Sequence, residues 1–435
     1  MAENPNPFGG GDMPFDLSAL FAQVQSMFND YEGPINWPAT LDLARKVAAQ
    51  TPDPTPSTGQ SSASSDALRL ADLWIDGTTS FPSGVQTAQA WSKAEWLVNT
   101  ADVWHGLIEP IAASSVNTVT NQMPEELKAM AGPLSGFLGK AIGAMISQQA
   151  GQALGTLAGE VLASSEIGIP LSTPGHAGIL AQNVKTFAEG LEGVSEADVL
   201  LYVALREAAH QRLFAGVPWL RSHVIDAVRA YAAGVEVNLN AIQQQVQDKL
   251  SGMNPMDPTA MQELMGDASL FELEPSPAQK AAQERLEIVL ALVEGWVDEI
   301  VTEATRERMP AATALGEAFR RRRAEGGPAE QTFSTLVGLE LRPRRLRDAS
   351  TLWGSLRARQ GAEARDGVWM SPALLPTAAD LDDPLGFREG ADALEISDEE
   401  FDAGLQALLG DNAGDATDQQ DESGESGEGP ADGDR

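Results

Sequence analysis

The sequence predicts a mostly α-helical protein, on three observations. Apolar residues recur at three- and four-residue spacing in nearly every segment from Asp66 to about Gly361, as on one face of a helix. Alternating runs of β-branched residues, the mark of half-buried strands, are few. Gly216-Val217-Pro218, Asn254-Pro255 and Gly327-Pro328 fall between the periodic stretches, where they end helices. A chain of 435 residues with 43% hydrophobic content has ample material for a core.

The elements follow in order. Met1–Pro14 is rich in Gly and Pro and is expected to be disordered. Asp16–Phe28 and Pro38–Ala49 are predicted as short amphipathic helices, and Thr51–Ser65, all polar or small apart from its prolines, as a flexible linker. Residues 1–65 thus stand apart from a helical domain at 66–387. In Ala90–His105 the indoles Trp91, Trp96 and Trp104 are expected as core anchors rather than an aromatic cage, with His105 partly buried. Between Pro133 and Leu162, Gly136, Gly139, Gly143, Gly151, Gly155 and Gly159 put a shallow groove on a long buried helix. Each glycine costs about 1 kcal/mol in a helix interior relative to Ala, so close crossing by a neighbour must compensate. Ser397–Leu409 has the pattern of one amphipathic helix, a partner-docking or loosely attached element, inside an acidic tail spanning 388–435.

Charge and composition exclude several classes. The net charge is −34; Glu389 to Arg435 holds 16 acidic residues and 1 basic, hence 15 of that excess. Such a surface repels nucleic acid and anionic membranes, so neither is expected as a partner. No stretch of about 18 uninterrupted apolar residues is present, and the N-terminus lacks a basic, then apolar leader. Without cysteine there are no disulfides or thiolate metal sites. A cytoplasmic location is the expectation. No phosphate loop, nucleophile elbow or EF-hand loop occurs.

The chemistry-bearing segment starts at Ser195, which with Asp198 reads as a helix N-terminus. Val199, Val203, Arg206, His210 and Leu213 then share one stripe, so two polar residues lie on an inward, apolar face. A buried cation requires a carboxylate. A second predicted helix offers one: Leu286, Leu290, Val293, Val297 and Val301 form its core stripe, and Glu294 and Asp298 lie four apart on its flank. Arg206-Glu207-Ala208-Ala209-His210 has the spacing of the HExxH zinc motif, in which two histidines hold the metal and the Glu activates its water. Arg206 stands at the first histidine position. A guanidinium has no lone pair and ligates no metal.

Three further blocks carry a family resemblance: Phe214-Ala-Gly-Val-Pro-Trp-Leu-Arg221, Leu336-Val-Gly-Leu-Glu-Leu-Arg-Pro-Arg-Arg-Leu-Arg-Asp348 and Val368-Trp-Met-Ser-Pro-Ala-Leu-Leu-Pro376. Together with the motif helix they resemble the actinobacterial zincin-like family of zinc-dependent metallopeptidases or hydrolases, related to zincin-like proteins associated with the deazaflavin cofactor. The resemblance covers roughly Asp66 to Phe387 and implies a mostly α, zincin-like helical domain. It implies His210 as second zinc ligand, Glu294 as third, Glu207 as general base and Asp298 in the outer shell. Two protein ligands are one fewer than a catalytic zinc normally has; neither His176 nor His223 repairs this from its place in the sequence. Two functions stay open. One is a zinc-dependent peptidase or hydrolase of reduced activity, its site completed by another donor. The other is a metal-free pseudoenzyme, a peptide- or protein-binding module in which Arg206 pairs with Glu294 or Asp298. The basic clusters Arg320–Arg323 and Arg342–Arg347 are expected to pair with carboxylates, those of the tail included. Substrate, partner identity and oligomeric state are left open by the sequence.

Overall fold

The computed structural model describes residues 31, 33–121, 132–233, 277–324 and 345–388. Within them the chain is mostly helical, built around α1 (Trp37–Ala48), α2 (Thr58–Ile75), α3 (Lys93–Asn121), α4 (Gly132–Glu160), α5 (Ala181–Glu189), α6 (Glu196–Gly216), α7 (Leu220–Ala233), α8 (Pro277–Thr305), α9 (Ala312–Ala324), α10 (Leu346–Gly367) and α11 (Ala378–Asp382). Asp16–Phe28, Asn254-Pro255, Gly327-Pro328, most of the second motif block and the acidic tail with Ser397–Leu409 lie outside the described residues.

The linker expected at Thr51–Ser65 is corrected by α2, which begins at Thr58. Ser57 and Gln60 form a reciprocal capping box, satisfying two amides that a helix start leaves orphaned. Ser64, Leu68, Ala71 and Ile75 then bury one stripe. A run of serines and glycine masked that periodicity. The packed unit also begins before residue 66: Ala44 and Ala48 of α1 belong to the core.

Helix α1 crosses α4 over the glycine groove. A Cβ on Gly143 would sit 2.1 Å from the Pro34 carbonyl oxygen, one on Gly151 2.8 Å from that of Thr40, and one on Gly155 2.5 Å from Val47 Cβ. A Cβ on Gly159 would meet nothing within 4 Å. The two positions therefore separate packing from propensity. Gly155→Val is expected to destabilise by about 1–3 kcal/mol through overpacking, whereas Gly159→Ala should be neutral or stabilise by up to about 1 kcal/mol. Thermal denaturation of the two variants reads both signs.

Two short strands, β1 (Thr87–Trp91) and β2 (His176–Leu180), pair in parallel, Thr87 opposite His176 and Trp91 opposite Leu180. The segment before β2 returns along its other edge. Ala163 bridges Ile179 in antiparallel fashion, Ser164 N donates to Gly178 O at 2.9 Å, and Leu180 N to Leu162 O at 2.9 Å. His176 opens this strand.

Helix α10 packs across α8. A Cβ on Gly295 would lie 2.6 Å from that of Ala349, and Trp353 Nε1 donates to Leu292 O at 2.9 Å. Arg365 fastens the same region: Nη1 donates to Glu299 Oε2 at 2.5 Å and Nη2 to Thr78 O at 2.7 Å. Asp366 accepts from Trp296 Nε1 at 3.0 Å and Thr79 Oγ1 at 2.6 Å. Trp91, Trp96 and Trp104 are buried core residues, while His105 is half-buried beside Glu109 at 3.6 Å. Among the described residues no helix is long and apolar enough to cross a membrane.

Candidate functional site

Helix α6 starts on Ser195, whose Oγ accepts from Asp198 N, and runs inward until every residue from Tyr202 to Leu213 is buried. Arg206, Glu207 and His210 are therefore carried to the centre of the domain by a stretch of helix buried on all sides. Helix α8 crosses it, bringing Glu294 and Asp298, themselves 3% and 7% exposed. Arg206 Nη2 lies 2.6 Å from Glu294 Oε2, and Nη1 lies 3.9 Å from Asp298 Oδ1. The Arg206 guanidinium also sits over the Phe319 ring, 5.4 Å from its centroid.

Glu294 is the hub. Its Oε2 takes a second guanidinium, Arg323 Nη1, at 2.6 Å, and its Oε1 faces His210 Nε2 at 2.9 Å. Burial by itself would raise this carboxyl. Arg323, His210 and Arg206 outweigh that and hold it well below the usual carboxylate range. Burial likewise works against the charge on Arg206, and Glu294, Tyr202 and Asp298 reverse the effect. The other His210 nitrogen, Nδ1, lies 2.9 Å from the Arg206 carbonyl oxygen. Both ring nitrogens thus face oxygen atoms of the network.

Glu207 points to a different set of partners. Its carboxylate accepts from Ser164 Oγ at 2.5 Å, Ser165 N at 2.9 Å, Ser165 Oγ at 3.3 Å and Gln211 Nε2 at 2.8 Å. These serines come from the return segment beside β2. The same segment continues over Glu294: Gly168, at φ +74, approaches so closely that a Cβ would lie 3.0 Å from Glu294 Oε1, which makes glycine necessary twice over. Glu166 closes the edge by pairing with Arg322 at 2.6 Å. Replacing Glu207 by Gln would turn an amide NH2 toward donors and leave a buried group unpaired. The expected loss is about 1–3 kcal/mol of stability, read from urea denaturation; a Glu poised only to move a proton would lose none.

The structure therefore brings Arg206, His210, Glu294 and Asp298 into one network and gives Glu207 a separate, fully hydrogen-bonded place. His176 and His223 do not join either set: His223 lies edge-on to Trp219, with ring centroids 5.3 Å apart. Sequence reasoning placed Arg323 in a cluster expected to pair with carboxylates without assigning it to Glu294, and missed Gly168 and the two serines. Gln211, four residues after Glu207, had a legible i,i+4 relation. Of the cluster at Arg320–Arg323, Arg320 lies 3.6 Å from Asp298, and Arg322 and Arg323 pair as above. Of the second cluster, Arg345 pairs with Asp382 at 2.7 Å; Arg342 and Arg344 lie outside the described residues.

These residues do not fit the zinc ion that the motif spacing implies. Arg206 has no lone pair to offer, Glu294 Oε2 already takes two guanidiniums at 2.6 Å, and its Oε1 is engaged with His210 Nε2 at 2.9 Å. A divalent cation would enter a cluster where Arg206, Arg320 and Arg323 already face two carboxylates. Among the described residues no group of three or more His, Cys, Asp or Glu is arranged to hold a metal.

Residues 35–387 match the family described as zincin-like metallopeptidase. No curated protein matches. The solved structure of a candidate hydrolase with a novel fold, from Chloroflexus aurantiacus, is similar with a TM-score of 0.56 at 18% sequence identity, covering 80% of this chain and 96% of that one. At that identity the likeness is one of fold.

Proposed function

This chain belongs to the zincin-like metallopeptidase family, and we propose that within it the protein is a metal-free, non-catalytic member that binds a peptide or protein. One observation carries the reading: the Arg206 guanidinium lies 2.6 Å from Glu294, in the place of the first zinc ligand of an HExxH helix. A permanent cation there does the structural work of a metal ion, since it neutralises the α8 carboxylate and ties α6 to α8. Two further features support it. Glu207, the residue that would serve as general base, has its carboxylate occupied by Ser164, Ser165 and Gln211. The whole constellation is buried, with exposures of 1–7% from His210 and Glu207 to Asp298, beneath the segment that carries Gly168.

The alternative activity, zinc-dependent hydrolysis, is what the family's description suggests. It would need a metal at His210 and Glu294 and a freed Glu207. Incubation of the purified protein with a mixed peptide library and added zinc, with and without chelator, tests the choice. The binding-module reading expects peptides to be retained and none to be cut. Cleavage that a chelator abolishes and that is lost in Glu207→Ala would overturn it.

A further inference from the structure

The start of α3, the end of α4, α5 and α9 surround a cleft of about 810 Å³, a volume in the range of ligand sites. Its charged lining is Lys93, Arg321 and Arg322 against Glu160. Three lining cations meet one lining anion, with Glu166 beside Arg322 and Asp53 beside Lys93, in a chain of net charge −34. Each cation is placed by the fold. Arg322 is anchored by Glu166 at 2.6 Å and by the Glu160 carbonyl oxygen, with its guanidinium over the Phe187 ring. Lys93 is 4% exposed and donates from Nζ to Thr51 Oγ1, one partner for an ammonium with three donors. The neighbouring Asp53 does not hydrogen-bond to Nζ; it accepts instead from the amides of Lys93 and Ala94, at 2.7 and 3.0 Å, where it caps α3. Arg321 is exposed at the mouth and has no ion-pair partner among the described residues.

The rest of the lining mixes apolar Phe187, Leu191 and Leu162 with polar Thr51, Gln182, Asn183 and Thr186, and at Gly159 it is open enough that an added Cβ touches nothing within 4 Å. A single carboxylate or phosphate would fill only a small part of about 810 Å³. A chain presenting acidic and apolar side chains in turn matches both surfaces. We infer that this cleft is the binding site for an acidic peptide segment, its carboxylates on Arg321, Arg322 and Lys93 and its apolar side chains on Phe187 and Leu191. The inference rests on the binding-module reading and names the chemistry of its partner.

The test is fluorescence anisotropy on the full-length protein with labelled hexapeptides alternating Glu and Leu, Gln and Leu, or Lys and Leu, alongside a mixed-sequence peptide pool. The Glu peptide should bind at least about tenfold tighter than the Gln peptide, a difference of about 1.4 kcal/mol. Arg321→Glu, on an exposed position, should abolish the preference. Gly159→Leu, which fills open space without touching charge, should weaken binding by a similar factor while leaving the melting temperature within a few degrees. Equal binding of Glu and Gln peptides, or Glu-peptide binding untouched by both variants, overturns the inference. So does full displacement by citrate or inorganic phosphate at concentrations matching the peptide, which would make the cleft a small-anion site. If the mixed pool binds and Gly159→Leu leaves that binding intact, the inference falls while the binding-module reading stands. If no peptide binds, both fall.

Discussion

Glu294→Ala is expected to be the most destabilising substitution in the domain. It removes the one carboxylate shared by Arg206, Arg323 and His210, leaving two guanidiniums and an imidazole buried around a void. Breaking a buried pair from one side costs about 3–5 kcal/mol, because the partner's charge stays desolvated, and here two fixed charges are stranded. Urea denaturation should show that loss as a lower midpoint. Arg206→Met should cost much less. Glu294 then keeps Arg323 at 2.6 Å and His210 at 2.9 Å, and an apolar side chain of similar length fills the space beside Phe319. Acid tests the same hub with a defined sign. In the unfolded chain Glu294 has an ordinary carboxyl of about 4.3; in the folded protein it is held well below that. Its contribution is therefore complete above the unfolded value and is lost as pH falls toward the folded one. The stability gap between the natural protein and Glu294→Gln should be constant near neutrality and shrink below about pH 4.

Recovering a metal site should require two changes rather than one. Arg206→His restores the ligand type that HExxH spacing calls for, but Arg323 remains on Glu294 Oε2. At 4 Å and an effective dielectric of 20, two unit charges interact by about 4 kcal/mol, and zinc carries two. The double variant Arg206→His/Arg323→Ala should therefore bind zinc at least about 100-fold tighter than Arg206→His, a difference of about 2.7 kcal/mol, measured by calorimetric titration. Equal affinities would show that Arg323 does not guard the site. Hydrolysis is not expected from the double variant, since Ser164, Ser165 and Gln211 still hold Glu207.

Much of this arrangement was legible in the sequence because it rests on helical periodicity. Arg206 and His210 stood on the inward stripe of α6, and Glu294 and Asp298 beside the core stripe of α8, so two facing helices had an evident need for charge pairing. The glycines of α4 announced a close crossing: Gly143, Gly151 and Gly155 meet chain at α1 or just before it, and Gly159 opens onto the cleft. What was hidden depends on partners far apart in the chain. Thr87–Trp91 has no long β-branched run, and its parallel pairing with His176–Leu180 joins segments 89 residues apart, so neither strand announces itself locally. Arg323 sits in a run of four arginines, and which of them reaches Glu294 is set by the phase of α9 against α8. Glu207 carries the type and spacing of a general base; only the returning segment at Ser164–Gly168 shows what surrounds it. At α2 a run of serines resembled a linker, and the capping box at Ser57 and Gln60 was the signal against it.

The most direct test of a guanidinium in the metal's place is elemental analysis of the unmodified protein. Purified without chelator and dialysed against zinc-containing, then metal-free buffer, it should retain no stoichiometric zinc by mass spectrometry. A full equivalent that survives dialysis and disappears in His210→Ala would contradict the account.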